Sequence, residues 1–135
     1  MTTDIKYFYL NMPMERFKYM KLKLSDLPKD FIKKYYPAPK VDRNGYVYVE
    51  IRRGMYGLQQ AGLLAQQLIE KILNAKRYSQ STLVPGLWTN AWFPITFTLC
   101  VENFGVTYAG KQHGDNLMYI LVDHYTISHD WTGSR

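Results

Sequence analysis

The sequence contains a single cysteine, Cys100, among its 135 residues. One cysteine excludes an intramolecular disulfide and a zinc site built from several cysteines, and its position in an apolar stretch predicts a buried thiol. Long apolar runs are also absent, because the longest, around residues 95–101, is far shorter than the roughly 18 residues of a membrane span. No charged and apolar leader opens the chain. We therefore expect an intracellular protein with no membrane partner.

Acidic residues are scarce, with 11 Asp and Glu against 17 Lys and Arg and a net charge of +6. Residues 1–53 contain 12 of these cations and 6 of the acidic groups, so the whole excess of positive charge lies in that part of the chain. A nucleic acid is the leading anionic partner for such a segment, and a solvated basic surface explains the charge equally well. No Ser, His and Asp nucleophile set and no phosphate-binding glycine loop is present.

Hydrophobic residues make up 47% of the chain and aromatic residues 16%, which is enough for one domain with one core. Residues 4–10 are rich in aromatic and β-favouring side chains and predict a first strand. Alternating apolar residues predict strands at 19–24 and 46–51, and the Asn44 and Gly45 turn signal suggests that these two strands pair. A short helix opens at Asp26 to Pro28 and ends before Pro37.

Apolar residues recur at helical spacing through residues 60–76 and predict the main helix. A second helix is predicted over 115–124, although Gly114 weakens its start. Residues 79–90 include Pro85 and Gly86 and suggest a connection without regular structure. The polar segment from Ser128 to the end is predicted to be a loop.

Two further strands surround Glu102 and Asn103, in the run WFPITFTLCV-EN-FGVTYAG. An ordinary tight turn explains this arrangement, because Asn followed closely by Gly is common turn chemistry. An acidic hairpin that binds a metal ion also explains it, but that alternative needs a carboxylate from elsewhere in the chain. Asp4 is the candidate for this second carboxylate.

Three stretches together resemble the palm of copia-type retrotransposon reverse transcriptases: TDIKYFYLNMPMERFKYMKL, YVEIRRGMYGLQQAGLLAQQL and LCVENFGVTY. They are similar, in the same order and at similar spacing, to the strand aspartate of motif A, the Tyr-Gly-Leu-x-Gln helix start of motif B and the two-aspartate hairpin of motif C. The resemblance implies an α+β fold, with a palm-like antiparallel sheet backed by two helices and a projecting β-hairpin. It also implies that residues 1–135 are a partial palm domain without the start of the fingers and without the thumb.

The resemblance further implies RNA-directed DNA polymerase activity within a retrotransposon polyprotein, with nucleotidyl transfer assisted by two Mg²⁺ or Mn²⁺ ions. The implied partners are an RNA or DNA template-primer, deoxynucleoside triphosphates and the remaining polyprotein domains, in a cytoplasmic, nuclear or retroelement-particle setting. Asp4 matches the catalytic, metal-binding aspartate of motif A, with the backbone carbonyl of Ile5 beside it. Tyr9 matches the aromatic residue that screens the sugar 2′ position, and Gln60 matches a glutamine near the incoming nucleotide.

The catalytic hairpin departs from the family, because Glu102 and Asn103 replace the two adjacent aspartates. Glu102 is a candidate metal ligand that is longer by one methylene, whereas Asn103 offers only a neutral oxygen. We therefore expect a degenerate and inactive copy. Taken singly, Asp4 is also explained as a turn residue, Tyr9 as a core residue and Gln60 as a polar group at a helix end.

A non-catalytic nucleic-acid-binding module is the alternative function. In that case basic side chains contact phosphates while Tyr46 and Tyr48 offer aromatic faces for stacking. The basic candidates are Lys18, Lys21, Lys23, Arg52 and Arg53.

Overall fold

The computed structural model describes residues 1–35 and 40–132, and the predicted helix stop at Pro37 lies outside these ranges. Within them the chain has a mixed α+β fold, as expected. The strands are β1 (Thr2–Ile5), β2 (Pro13–Lys23), β3 (Tyr46–Arg53), β4 (Tyr78–Gln80), β5 (Leu87–Asn90), β6 (Ile95–Cys100), β7 (Asn103–Tyr108) and β8 (Ile127–Asp130). The α-helices are α1 (Lys29–Tyr35), α2 (Gln59–Ala75) and α3 (Lys111–Val122). None of these helices is long and apolar enough to cross a bilayer.

Six strands form one antiparallel sheet in the order β4-β5-β6-β7-β1-β8. One face of this sheet packs against α2 and α3, and the core contains Phe97 and Phe104 from the sheet, Ile69 and Leu73 from α2, and Leu117 from α3. The apolar stripe predicted from the sequence is the buried stripe of α2. The expected antiparallel sheet with two backing helices is therefore present.

The α3 helix begins at Lys111, earlier than predicted, and includes Gly114 in its second turn. A Cβ atom at Gly114 would lie 3.0 Å from the Tyr108 ring and 3.2 Å from the Trp131 ring. Glycine lets the helix approach β7 closely, so its low helix propensity is offset by tertiary packing.

The β2 and β3 strands form a separate two-stranded antiparallel sheet, with Lys21 opposite Tyr48. Asp42 holds the connecting turn, because its Oδ1 accepts hydrogen bonds from the backbone N–H groups of Asn44 and Tyr46 at 2.9 Å. The predicted pairing is confirmed, but β2 starts at Pro13, well before the predicted residue 19.

Three predictions about the strands and one about the cysteine are wrong. The first strand ends at Ile5 and turns, with Tyr7 at a φ of 57°. Residues 79–90 contain the short strands β4 and β5, and the closing segment contains β8, with residues 133–135 outside the described chain. Strands of three or four residues are too short to show an alternating pattern. Cys100 is exposed, because its side chain points away from the core face of β6.

Candidate functional site

Asp4 and Asn103 lie directly opposite each other in the adjacent antiparallel strands β1 and β7. Their neighbours Thr3 and Phe104 are buried on the helix side, and side chains alternate along a strand. Asp4 and Asn103 therefore lie on the open face of the sheet. They line a shallow cavity of about 570 Å³ there, together with Thr98, Cys100, Ser128 and Asp130.

The turn between β6 and β7 consists of Val101 and Glu102, because Cys100 pairs with Asn103. Asn103 is thus the first residue of a strand, not a turn residue. Val101 has a φ of 58°, a left-handed conformation that costs a β-branched residue about 1–2 kcal/mol. The Ile5 N–H donates a hydrogen bond of 3.0 Å to the Glu102 carbonyl, which ties this strained turn to β1.

Tyr9 lies in the turn after β1 and brings the first two sequence motifs into contact. Its ring meets the Tyr56 ring edge-on, with 4.9 Å between the centroids. A Cβ at Gly62 would lie 3.7 Å from Tyr9 Cε1, so the start of α2 packs beside the same ring. Burial raises the pKa of Tyr9, and the negative charge of Glu102 raises it further.

Sequence reasoning assigned no role to Tyr56 or Cys100, although both belong to the motif stretches. Gln60 is half-buried in the first turn of α2 and lines a separate cleft of about 270 Å³ with Met14 and Lys18. The structure thus packs Tyr9 against Tyr56 and the start of α2, whereas Gln60 lines a different cavity from Asp4.

The donor set around Asp4 does not fit a two-metal site. In the described parts of the chain, no group of three or more His, Cys, Asp or Glu side chains is placed to hold a metal ion. One Glu102 carboxylate oxygen, Oε2, is buried without a hydrogen-bond partner among the described residues. Asp130 also lines the Asp4 cavity, but its Oδ1 accepts hydrogen bonds from the Thr132 N–H and hydroxyl, which lower the pKa of Asp130. Magnesium sites in polymerases rely on carboxylates and phosphates, and Asn103 contributes a neutral amide.

The five basic candidates do not share one surface. Pairing and strand alternation put Lys21, Lys23 and Arg52 on the face of the two-stranded sheet that carries the tyrosines Tyr46 and Tyr48. Lys18 lies opposite Ile51, so it occupies the other face, as Arg53 does by alternation.

Two of the three cations on the tyrosine face already have partners within the hairpin. Lys21 Nζ lies 4.4 Å from the Tyr46 ring centroid and 3.7 Å from an Asp42 carboxylate oxygen. Arg52 Nε donates a 2.6 Å hydrogen bond to Glu50, and its guanidinium lies over the exposed ring of Phe17.

Comparison with known protein families, with characterised proteins and with solved structures finds no match for this chain.

Proposed function

We propose that this chain is a palm segment of a copia-type reverse transcriptase, from a retrotransposon polyprotein, and that it no longer carries out RNA-directed DNA synthesis. The register of β1 and β7 carries the proposal, because Asp4 lies opposite Asn103, where the resemblance puts the facing catalytic carboxylates. Packing of Tyr9 against Tyr56 supports it, since these residues come from the first and second motifs.

Loss of activity follows from the donor chemistry. Nucleotidyl transfer of this class needs metal ions held between carboxylates, which stabilise the attacking and leaving oxygens. Asn103 carries no charge, and Glu102 has one carboxylate oxygen buried in the protein. Asp4 alone cannot replace a set of carboxylates whose positions must hold within about 0.5 Å.

Primer extension with Mg²⁺ or Mn²⁺ tests this proposal. We expect no incorporation by the natural chain, and Mn²⁺ binding that strengthens by about tenfold when Glu102→Asp and Asn103→Asp are introduced together. Thr107→Asp is the matched control, because it adds an exposed carboxylate to β7 outside the Asp4 cavity. Robust nucleotide incorporation by the natural chain, abolished by Asp4→Ala, would overturn the proposal that the chain is inactive. Equal Mn²⁺ binding by the double variant and by Thr107→Asp would overturn the assignment of the site.

A non-catalytic nucleic-acid-binding module is the second candidate. It is favoured by the tyrosine face of the β2–β3 sheet, where Lys21 and Lys23 lie beside exposed Tyr19 and Tyr48. Stacking and phosphate contacts of this kind bind single strands without a metal. We expect affinity for single-stranded RNA that falls steeply with added salt and does not change with chelator.

Alanine variants of two lysines separate this candidate from non-specific attraction. Lys23→Ala should lower the salt slope by about 1, and Lys18→Ala, on the opposite face, should leave it unchanged. Absence of RNA binding at low salt would eliminate this candidate.

A further inference from the structure

A groove runs between α2 and the C-terminal end of α3. One half is a cavity of about 340 Å³ lined by Leu68 and Ile72 of α2 and by Tyr125. The other half is a cavity of about 320 Å³ lined by Trp92, Tyr119 and Ile120. Ala75 and Lys76 line both cavities, so the two lie side by side along the end of α2, and together they are called the groove here.

The floor and walls of this groove include large apolar side chains that face solvent. Trp92 is 69% exposed, Tyr119 is 70% exposed and Leu68 is 38% exposed. An exposed apolar patch on this scale, bordered by polar groups, is typical of a protein interaction surface. The groove is separate from the Asp4 cavity, which lies on the opposite face of the sheet.

The charged groups that line the groove are all basic in the described residues. Lys71, Lys76 and Arg77 line it, and none of the three takes part in an ion pair among the described residues. The Arg77 guanidinium lies 4.9 Å from the centroid of the Trp92 ring, a cation–π contact that holds the ring at the groove edge. Glu70 is turned away and accepts a hydrogen bond from Gln66.

We propose that this groove docks an acidic amphipathic helix of a partner protein. Apolar side chains along one face of such a helix fill the two cavities, and its flanking carboxylates face Lys71, Lys76 and Arg77. A second copy of this chain is a poor occupant, because each copy carries a net charge of +6. The aliphatic walls formed by Leu68 and Ile72 also suit leucine-like side chains better than nucleic-acid bases.

Binding of a synthetic amphipathic helix, with leucines along one face and glutamates along the other, tests the proposal. The control peptide has lysine in place of every glutamate. We expect the acidic peptide to bind at least about tenfold more tightly than its lysine counterpart. The emission of Trp92 should shift to the blue on binding, and Trp92→Phe should remove that shift, because Trp88 is buried in the free protein and Trp131 packs against Tyr108 outside the groove.

Charge reversal locates the site on the protein. Lys71→Glu together with Lys76→Glu should remove the preference for the acidic peptide, whereas Lys29→Glu together with Lys33→Glu, in α1, should preserve it. Arg77 is left unchanged, because its reversal would also remove the contact with the Trp92 ring. Any of four results would overturn the proposal. Two concern the peptides: equal affinity for both, or an unchanged preference after reversal at Lys71 and Lys76. The other two are displacement of the peptide by single-stranded oligonucleotide and a dimer that buries Trp92.

Discussion

Gly54 directly follows β3 and lies against the turn that carries Tyr9. Its N–H donates a 2.7 Å hydrogen bond to the Met12 carbonyl, and a Cβ atom there would clash with the backbone carbonyl oxygen of Tyr9 and lie 3.0 Å from Ala61 Cβ. The backbone of Gly54 is not in the left-handed region, so Gly54→Ala changes only the available space. We expect the Tyr9 turn to be forced away from β3.

Overpacking of this kind costs about 1–3 kcal/mol, and we expect the upper part of that range because the clashing group is backbone, which cannot rotate away. Alanine also restricts the unfolded chain, which by itself raises the free energy of unfolding by about 0.4–1 kcal/mol. The net loss in the free energy of unfolding is then about 2 kcal/mol, or roughly 8 °C in Tm for a chain of this size. Urea and thermal unfolding followed by circular dichroism measure both quantities.

Gly62→Ala is the matched control, because it makes the same chemical change inside α2, beside the same tyrosine. A Cβ there would lie 3.7 Å from Tyr9 Cε1, an ordinary contact. Replacing glycine by alanine in a helix interior should raise the free energy of unfolding by about 0.5–1 kcal/mol. The two variants thus have opposite signs, and a Gly54→Ala protein as stable as its parent would refute the close approach of β3 to the Tyr9 turn.

Three further predictions concern titrating and strained groups. Burial raises the pKa of Tyr78 and of Tyr125 to about 12, so both should stay protonated at about pH 11 in an ultraviolet titration, and stability should fall above pH 10 as the unfolded chain loses these protons. Hydrogen bonds from the Tyr46 and Asn44 N–H groups, together with the nearby Lys21, lower the pKa of Asp42. The stabilisation that the ionised Asp42 carboxylate provides is therefore lost as pH falls below 3.8. Asp42→Asn should accordingly reduce the fall in the free energy of unfolding on the acid side of a plot against pH. Val101→Gly should be more stable than Val101→Ala by about 1 kcal/mol in urea unfolding, because only glycine adopts a φ of 58° without strain; equal stability would argue against the left-handed turn.

The candidate site was only partly accessible from the sequence. Asp4, Tyr9 and the hairpin residues were predicted as candidates from the resemblance of the motif stretches to a known family, and each lies in a short contiguous run. Their mutual placement depends on contacts between residues almost one hundred positions apart, such as the pairing of Asp4 with Asn103. The separation of Gln60 from the Asp4 cavity and the division of the basic residues between two faces also depend on the tertiary structure.

Local sequence signals were sufficient to predict some of the elements. Apolar residues at helical spacing identified α2, and alternation together with the Asn44 and Gly45 turn identified the β2–β3 pair, because these periodicities express which side of an element is buried. Contacts between distant parts of the chain account for the short strands β4, β5 and β8, the start of α3 before Gly114 and the exposure of Cys100. A strand of three or four residues is held by its neighbours in the sheet, and a glycine inside a helix is explained by the rings that pack on it.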